Sequence, residues 1–311
     1  MTTYLVTGGA GFIGSHIATA LVERGDKVRV LDNLCSGFEA NLVHLGSDCE
    51  LIKGDAGDPQ AVAKAIEGAD VVFHEAALAS VPASVRDPLA SHAACATATV
   101  NVLDAARKAG VKRVVFAASS AAYGDQPCSS KREDDPHDPL SPYAAAKIAS
   151  EYYCKAFTKS FGLETACLRY FNVYGPRQDP KSEYSAVIPI FVSKLLAGER
   201  PTIYGDGEQS RDFVFVRDVV QANLLAAERP EAVGQVFNVG TGRRFTLLQL
   251  MAALNKLLGT EVEPIFADAR AGDVRESLAD ITRARTLLGY EPGFSLEEGL
   301  RQSVEYYKSI A

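Results

Sequence analysis

Apolar and polar positions alternate between two spacings along the first half of the chain. Short β-branched, apolar runs at 4–7, 27–31, 51–53, 70–74, 113–118 and 165–171 read as strands. Between them, helical spacing of apolar positions covers 12–24, 59–67, 88–109 and 142–161. Strands that alternate with helices pair in parallel through right-handed crossovers, so the pattern predicts an α/β fold with a doubly wound parallel sheet. The runs VVF, RVVF and TACLRYF are almost continuously apolar, as strands covered on both faces should be.

After Asn172 the rhythm changes. Loops containing Gly and Pro appear at 174–179 and 204–209, mixed with shorter helical patterns at 188–197, 219–227, 247–258 and 281–288. This predicts a main domain over 1–172 and a smaller C-terminal α/β domain over 173–311. Strand patterns at 213–216 and 236–239 are expected to bring 213–240 back to the main sheet. The polar, Pro-containing stretch 125–140 reads as a surface loop.

Composition narrows the function classes. Over 311 residues, 47% are apolar and 23% charged, which suits a globular chain and disfavours disorder or coiled-coil arrays. The net charge is −7 with no basic run, so no nucleic-acid partner is expected. No apolar stretch approaches the length that spans a bilayer, so no membrane partner is expected either. The N-terminal MTTYLVTGGAGFIG has no charged start or cleavage signal and reads as mature structure. Six cysteines without a CxxC predict free thiols in a reducing cytoplasm, and the histidines lack metal-ligand spacing.

Two motifs carry chemistry. Gly8-Gly9-Ala10-Gly11-Phe12-Ile13-Gly14 follows the first strand and opens the first helix. Glycines there permit a tight turn and close approach of backbone to a pyrophosphate, which the helix N-terminus also attracts. Asp32 ends the second strand, where a carboxylate accepts hydrogen bonds from a ribose diol and repels a 2′-phosphate. The cofactor expected is therefore NAD rather than NADP. The second motif is Ser141-Pro142-Tyr143-x-x-x-Lys147 at a helix start. Ser141 suits the cap, Pro142 the first turn, and Tyr143 and Lys147 share one helix face. A tyrosine is a poor base at neutral pH, but a neighbouring ammonium and a positive nicotinamide ring favour its phenolate. Ser119 stands at the carboxyl end of a strand, the edge that faces the ligand crevice in such sheets.

With Val6–Gly14, Ser119-Ser120, Tyr143-x-x-x-Lys147 and Arg169-Tyr170-Phe171-Asn172-Val173-Tyr174-Gly175-Pro176, the chain resembles the extended short-chain dehydrogenase/reductase family along essentially its whole length. Within that family it is most similar to the UDP-sugar 4-epimerases. The resemblance implies a Rossmann domain and a catalytic set of Tyr143, Lys147 and Ser119. It implies NAD contacts from Gly8, Gly11, Phe12, Ile13, Gly14, Asp32 and Asn33. Asp55 and Ala56 would lie near the adenine, Ala76, Ala77 and Ala79 along the channel, and Tyr143, Lys147 and Tyr170 at the far end. It further implies UDP-sugar contacts from Ser119, Ser120, Tyr143, Asn172, Val187, Tyr204, Arg211, Arg270, Asp273 and Ser277. The two arginines would clamp the diphosphate, Tyr204 would stack on uracil and Asp273 would hold the uridine ribose.

Two positions refine the expectation. Dehydratases of nucleotide sugars carry Asp-Glu after the hydroxyl residue, and decarboxylases keep the Glu; here Ser120-Ala121 stand there, which disfavours both alternatives. Ser277 matches a site where epimerases restricted to glucose and galactose often carry tyrosine, so room for an N-acetyl group is expected. One departure is Cys95, where relatives usually have an Asn that organises the cofactor pocket. A redox-sensing module without catalysis is the non-enzymatic rival, although Tyr143 and Lys147 are both present. The long Ala-rich helices 88–109 and 142–161 expose apolar surface, and by resemblance they would form a four-helix bundle in a homodimer.

Overall fold

A computed structural model describes residues 2–126, 130–180, 187–269 and 274–310. The main-domain elements are β1 (Thr3–Thr7), α1 (Phe12–Glu23), β2 (Lys27–Asp32), β3 (Cys49–Lys53), α2 (Pro59–Ile66), β4 (Val71–His74), α3 (Val81–Arg86), α4 (Pro88–His92), α5 (Ala98–Ala109), β5 (Arg113–Ser119), α6 (Pro142–Phe161) and β6 (Glu164–Tyr170). They are followed by β7 (Asn172–Tyr174), α7 (Val187–Leu196), β8 (Thr202–Tyr204), β9 (Ser210–Arg211), β10 (Phe213–Phe215), α8 (Val216–Glu228), β11 (Gln235–Val239), β12 (Phe245–Thr246), α9 (Leu247–Leu258), β13 (Ile265–Ala267) and α10 (Leu296–Ile310).

Seven strands form one parallel sheet in the order β11-β6-β5-β4-β1-β2-β3. The chain winds outward from β1 in both directions, so the crevice between the ends of β1 and β4 is the switch point where such sheets bind ligands. One sheet face packs Val6, Phe73, Val115 and Leu168 against Ile17 and Ala18 of α1 and Val219 and Ala222 of α8. The other face packs Leu5, Val72, Val114 and Phe116 against Val62 of α2, Leu103 of α5 and Cys154 of α6. Both faces are therefore dry, which explains the unbroken apolar runs.

The helices begin where side chains can cap them. Ser141 accepts the Ala144 N–H at 3.2 Å and Pro142 follows it, which starts α6. Asp58 and Asp87 cap α2 and α4 in the same way. The helical stretch that begins at Pro88 contains a π-helical turn at Ala93–Thr97, which sets Cys95 and Ala96 against Ala146 of α6.

The smaller domain has its own core. Phe191 and Val192 of α7, Leu250 and Leu254 of α9, and Leu300, Val304 and Tyr307 of α10 pack around Phe213 and Phe215. The sequence pattern assigned no element to 296–310, although Leu300, Val304 and Tyr307 recur at helical spacing. The helix expected at 281–288 is largely a π-helical turn, Ala284–Leu288. The expectation for 213–240 needs correcting in part. β11 and α8 lie on the main sheet, but β10 does not, because it pairs with β7 in a separate two-stranded ladder. Past Tyr170 the chain leaves the sheet: Phe171 N–H still reaches the Val239 carbonyl, and the next N–H, of Asn172, goes to the Asp212 carbonyl.

α6 is fixed to the sheet by a buried ion pair. Arg169 of β6 donates to both carboxylate oxygens of Glu151, at 2.9 and 2.7 Å, with side chains only 2% and 5% exposed. Its guanidinium lies 4.7 Å from the Tyr123 ring and also donates to the Glu133 carbonyl. Removing one partner strands the other charge without water, at a cost of about 3–5 kcal/mol. Arg169→Ala should therefore lower the unfolding free energy by about that amount in urea titration. The double replacement Arg169→Met/Glu151→Leu should recover most of the loss.

Candidate active site

The glycine turn is built by close approach of two backbones. Gly8 has φ +69°, and a Cβ there would lie 2.7 Å from the Ala76 nitrogen. A Cβ on Gly14 would lie 2.4 Å from the Gly8 carbonyl oxygen. Gly11 caps α1 without a side-chain acceptor, and no acidic residue stands in the first turn. The opening N–H groups of α1 thus have no side-chain capping bond, and the helix presents its positive end to the crevice.

Asp32 is buried at the end of β2, where its oxygens accept the Ala10 and Leu34 N–H groups at 2.9 and 2.8 Å. Asn33 is exposed and donates to Asp55 at 2.8 Å, while Ala56 is buried beside that pair. Ala76 and Ala77 are half-buried and Ala79 is exposed. Phe12 and Ile13, on the first turn of α1, pack against the core of the smaller domain. A narrow backbone cradle, an open helix end and an acceptor at the next strand end fit a dinucleotide.

The β1 and β4 ends are locked by one hydrogen-bonded chain. The Thr7 hydroxyl meets His74 Nδ1 at 2.7 Å, His74 Nε2 meets Thr99 Oγ1 at 3.1 Å, and Thr99 donates to the Cys95 carbonyl. Because the Thr99 hydrogen is used on that carbonyl, His74 donates from Nε2 and accepts at Nδ1. Burial, then the Lys147 charge, push the His74 pKa down to about 3, so the ring is neutral. The Ala76 N–H closes the chain on Thr7 Oγ1 at 3.3 Å, directly behind Gly8.

Lys147 is 2% exposed, and its Nζ donates to the Ala117 carbonyl of β5 at 2.7 Å. The same Nζ lies 5.9 Å from the centre of the Tyr143 ring and 4.9 Å from that of Phe116. Ser119 ends β5 two residues beyond Ala117, and its oxygen accepts the Ala121 N–H at 3.2 Å. Tyr143 is half-buried and packs against Cys95 and Ala146. At Cys95 a buried thiol fills apolar space against the tyrosine, so the hydrogen bonds of an asparagine are replaced by contact.

The smaller domain carries most of the remaining assigned positions. Arg211 lies on β9 beside Phe245 of β12, and Ser210 bonds the Arg275 carbonyl and the Ser277 N–H. Ser277 is thereby held beside the end of β9 that carries Arg211, and both residues are half-buried. Asn172 is half-buried at the start of β7, Val187 opens α7, and Tyr204 ends β8. Ser120 is half-buried in the turn after β5. Arg270 and Asp273 lie outside the described residues.

Two residues outside the sequence assignments hold this arrangement together. Asp212, fully buried, accepts from Thr241 N–H and Oγ1, Gly242 N–H and Ala279 N–H, while its carbonyl takes the Asn172 N–H. Burial pushes its pKa up against those bonds. Glu75, next to the Gly8 turn, accepts the Tyr170 hydroxyl at 2.9 Å. A charged residue inside the apolar run VVFHEAA is the one signal in the sequence that marks Glu75. Asp212 carries no such signal, because its partners are distant in the chain.

A model of the NAD dependent epimerase/dehydratase family matches residues 4–240. The chain is 41% identical over 309 residues to a UDP-glucose 4-epimerase of Mycolicibacterium smegmatis, with 98% of each chain covered. Among solved structures it superposes with a TM-score of 0.96 on a UDP-N-acetylglucosamine 4-epimerase of Methanobrevibacter ruminantium in complex with UDP-N-acetylmuramic acid, at 42% identity over 100% of this chain and 99% of that one. It superposes with a TM-score of 0.95 on a UDP-glucose 4-epimerase of Thermotoga maritima with UDP-glucose, at 42% identity over 99% of both. With that match spanning the cradle, the Tyr143–Lys147 helix and the strand return of β11, the chain belongs to the NAD dependent epimerase/dehydratase family.

Proposed function

We propose that this enzyme, an NAD-dependent UDP-sugar 4-epimerase, acts on both UDP-glucose/UDP-galactose and the N-acetylated pair UDP-GlcNAc/UDP-GalNAc. The observation that carries the chemistry is the tie from Lys147 Nζ to the Ala117 carbonyl, which fixes the Tyr143 helix to the strand that ends in Ser119. NAD bound along the crevice supplies a hydride acceptor that can return the hydride. Tyr143 takes the proton from the sugar C4 hydroxyl and later gives it back. Lys147 keeps two ammonium hydrogens beyond Ala117 for ribose hydroxyls. Ser119 turns its hydrogen toward the reacting oxygen. The 4-keto sugar must rotate between the two hydride steps, so its hold belongs on the nucleotide, at Arg211, Arg270, Asn172, Val187, Tyr204 and Asp273. Ser120 and Ala121 offer no acid to protonate a leaving hydroxyl, which supports epimerisation over elimination or decarboxylation.

Ser277 supports the broader sugar range, because a small side chain next to the Arg211 strand leaves room for an acetamido group. The thiols Cys35, Cys49, Cys95, Cys154 and Cys167 are free, which suits a reducing cytoplasm. A homodimer through the α4–α5 and α6 helices is supported by Val85, Leu89, Tyr152 and Tyr153, which stand 46–81% exposed on α3, α4 and α6.

Chromatographic separation of epimers after incubation with UDP-galactose and UDP-GalNAc tests the substrate assignment directly; no turnover of the acetylated sugar would remove that half. Tyr143→Phe should lower kcat about 10²–10⁴-fold while NAD remains bound. Ser277→Tyr should cut kcat/KM for the acetylated pair by about 10–100-fold and leave the other pair nearly unchanged, the overpacking falling on the acetamido group. Leu89→Asp should shift sedimentation from dimer to monomer without moving the thermal midpoint of the monomer fold.

A further inference from the structure

Glu75 is a carboxyl group that the mechanism above does not use. It begins the loop after β4, its N–H bonds the Thr7 carbonyl at 3.1 Å, and its own carbonyl carbon lies 3.0 Å from where a Gly8 Cβ would stand. From there its side chain reaches under the ends of the sheet to Tyr170, the last residue of β6. Asn223 Nδ2 of α8 donates to the same hydroxyl oxygen at 2.8 Å, and the Tyr170 hydrogen has two acceptors, Glu75 at 2.9 Å and Asn223 Oδ1 at 3.1 Å. The carboxyl group is enclosed although the residue as a whole is only half-buried.

The charged and titratable groups that face Glu75 are few. Lys147 of α6 is the cation felt at Glu75, and no ion pair joins the two among the described residues. Tyr170 of β6 donates a hydrogen bond, Asn223 of α8 is neutral, and His74 of β4 is a neutral ring. Burial outweighs the Tyr170 bond and the Lys147 charge and pushes the Glu75 pKa up to about 7. A carboxyl so placed is ionised in part at neutral pH and responds to any new positive charge.

A dinucleotide that runs from the Gly8 turn to Tyr143 and Lys147 crosses the end of β4, where Glu75 begins. We propose that Glu75 is the electrostatic partner of the oxidised nicotinamide ring, ionised while the ring is positive and protonated when the ring is reduced. The diphosphate charge is present in both redox states and cancels in the difference. Reduction brings two electrons and one proton to the ring and removes its positive charge; Glu75 then takes a second proton from solvent. An ionised Glu75 holds the cofactor in the NAD+ form between turnovers and opposes stranding as NADH. Asn or Gln at this place would hold Tyr170 without that charge response.

This proposal rests on the NAD site, not on the sugar assigned to it, and its test needs no sugar. The NAD+/NADH midpoint potential of the holoenzyme is measured by reductive titration from pH 6 to pH 8, with the near-ultraviolet absorbance of the reduced ring as readout. In the wild type the bound NAD+/NADH balance should move toward NAD+ with rising pH by about tenfold more than in Glu75→Gln, equivalent to about 30 mV for this two-electron couple. Tyr170→Phe keeps the carboxyl but removes the bond that favours its ionised form, so its inflection should move to higher pH. Parallel pH slopes in the wild type and Glu75→Gln would overturn the proposal. So would an unmoved inflection in Tyr170→Phe, should the first variant fail to retain cofactor.

Discussion

The crevice exists because two backbones come closer than a side chain allows. Gly8 and Ala76 stand at the ends of adjacent parallel strands, and a Cβ on Gly8 would press into the Ala76 nitrogen. Around that contact the Thr7–His74–Thr99 chain fixes the two strand ends and ties them to α5. The cradle, the loop that carries Glu75 and Ala77, and the π-helical turn behind Tyr143 are all positioned by it. A rigid floor of this kind places reacting groups without the loop ordering that would otherwise oppose binding.

Helix α6 is held at two separated points. Near its start, Lys147 is anchored to the Ala117 carbonyl; one turn further, Glu151 is anchored to Arg169. The first anchor is a single charge-assisted bond, and the second is a two-pronged pair in a dry setting. Both strands involved, β5 and β6, are neighbours in full register from Arg113–Glu164 to Ser119–Tyr170. The tyrosine, the lysine and the serine are therefore aligned by sheet geometry rather than by loops.

Much of this was legible in the sequence, because it depends on local rules. The strand–helix alternation, the glycine turn, the Ser141-Pro142 start of α6 and the i, i+4 pairing of Tyr143 with Lys147 are each encoded within a few residues. What was not legible depends on contacts far apart in the chain. The lysine anchor at Ala117 joins residues thirty apart, and the Asp212 bonds to Thr241 and Ala279 span about thirty and seventy. The departure of β10 from the main sheet turns on which carbonyl the Asn172 N–H meets, and no local pattern fixes that choice. The C-terminal helix carried its signal in Leu300, Val304 and Tyr307, yet its acidic first turn and polar face gave the stretch a surface character. The π-helical turn at 93–97 hides inside an otherwise regular helical pattern, since one extra residue per turn leaves composition unchanged.

Asp212 has an implication for how tightly a nucleotide can be held. One carboxylate gathers the chain around Thr241, the segment at Ala279 and the strand bearing Arg211, and its main chain secures Asn172. These segments are consequently gathered before any ligand arrives. The entropy of collecting them is met when the protein folds, so little of the ligand's contact energy is lost to organising its own receptor.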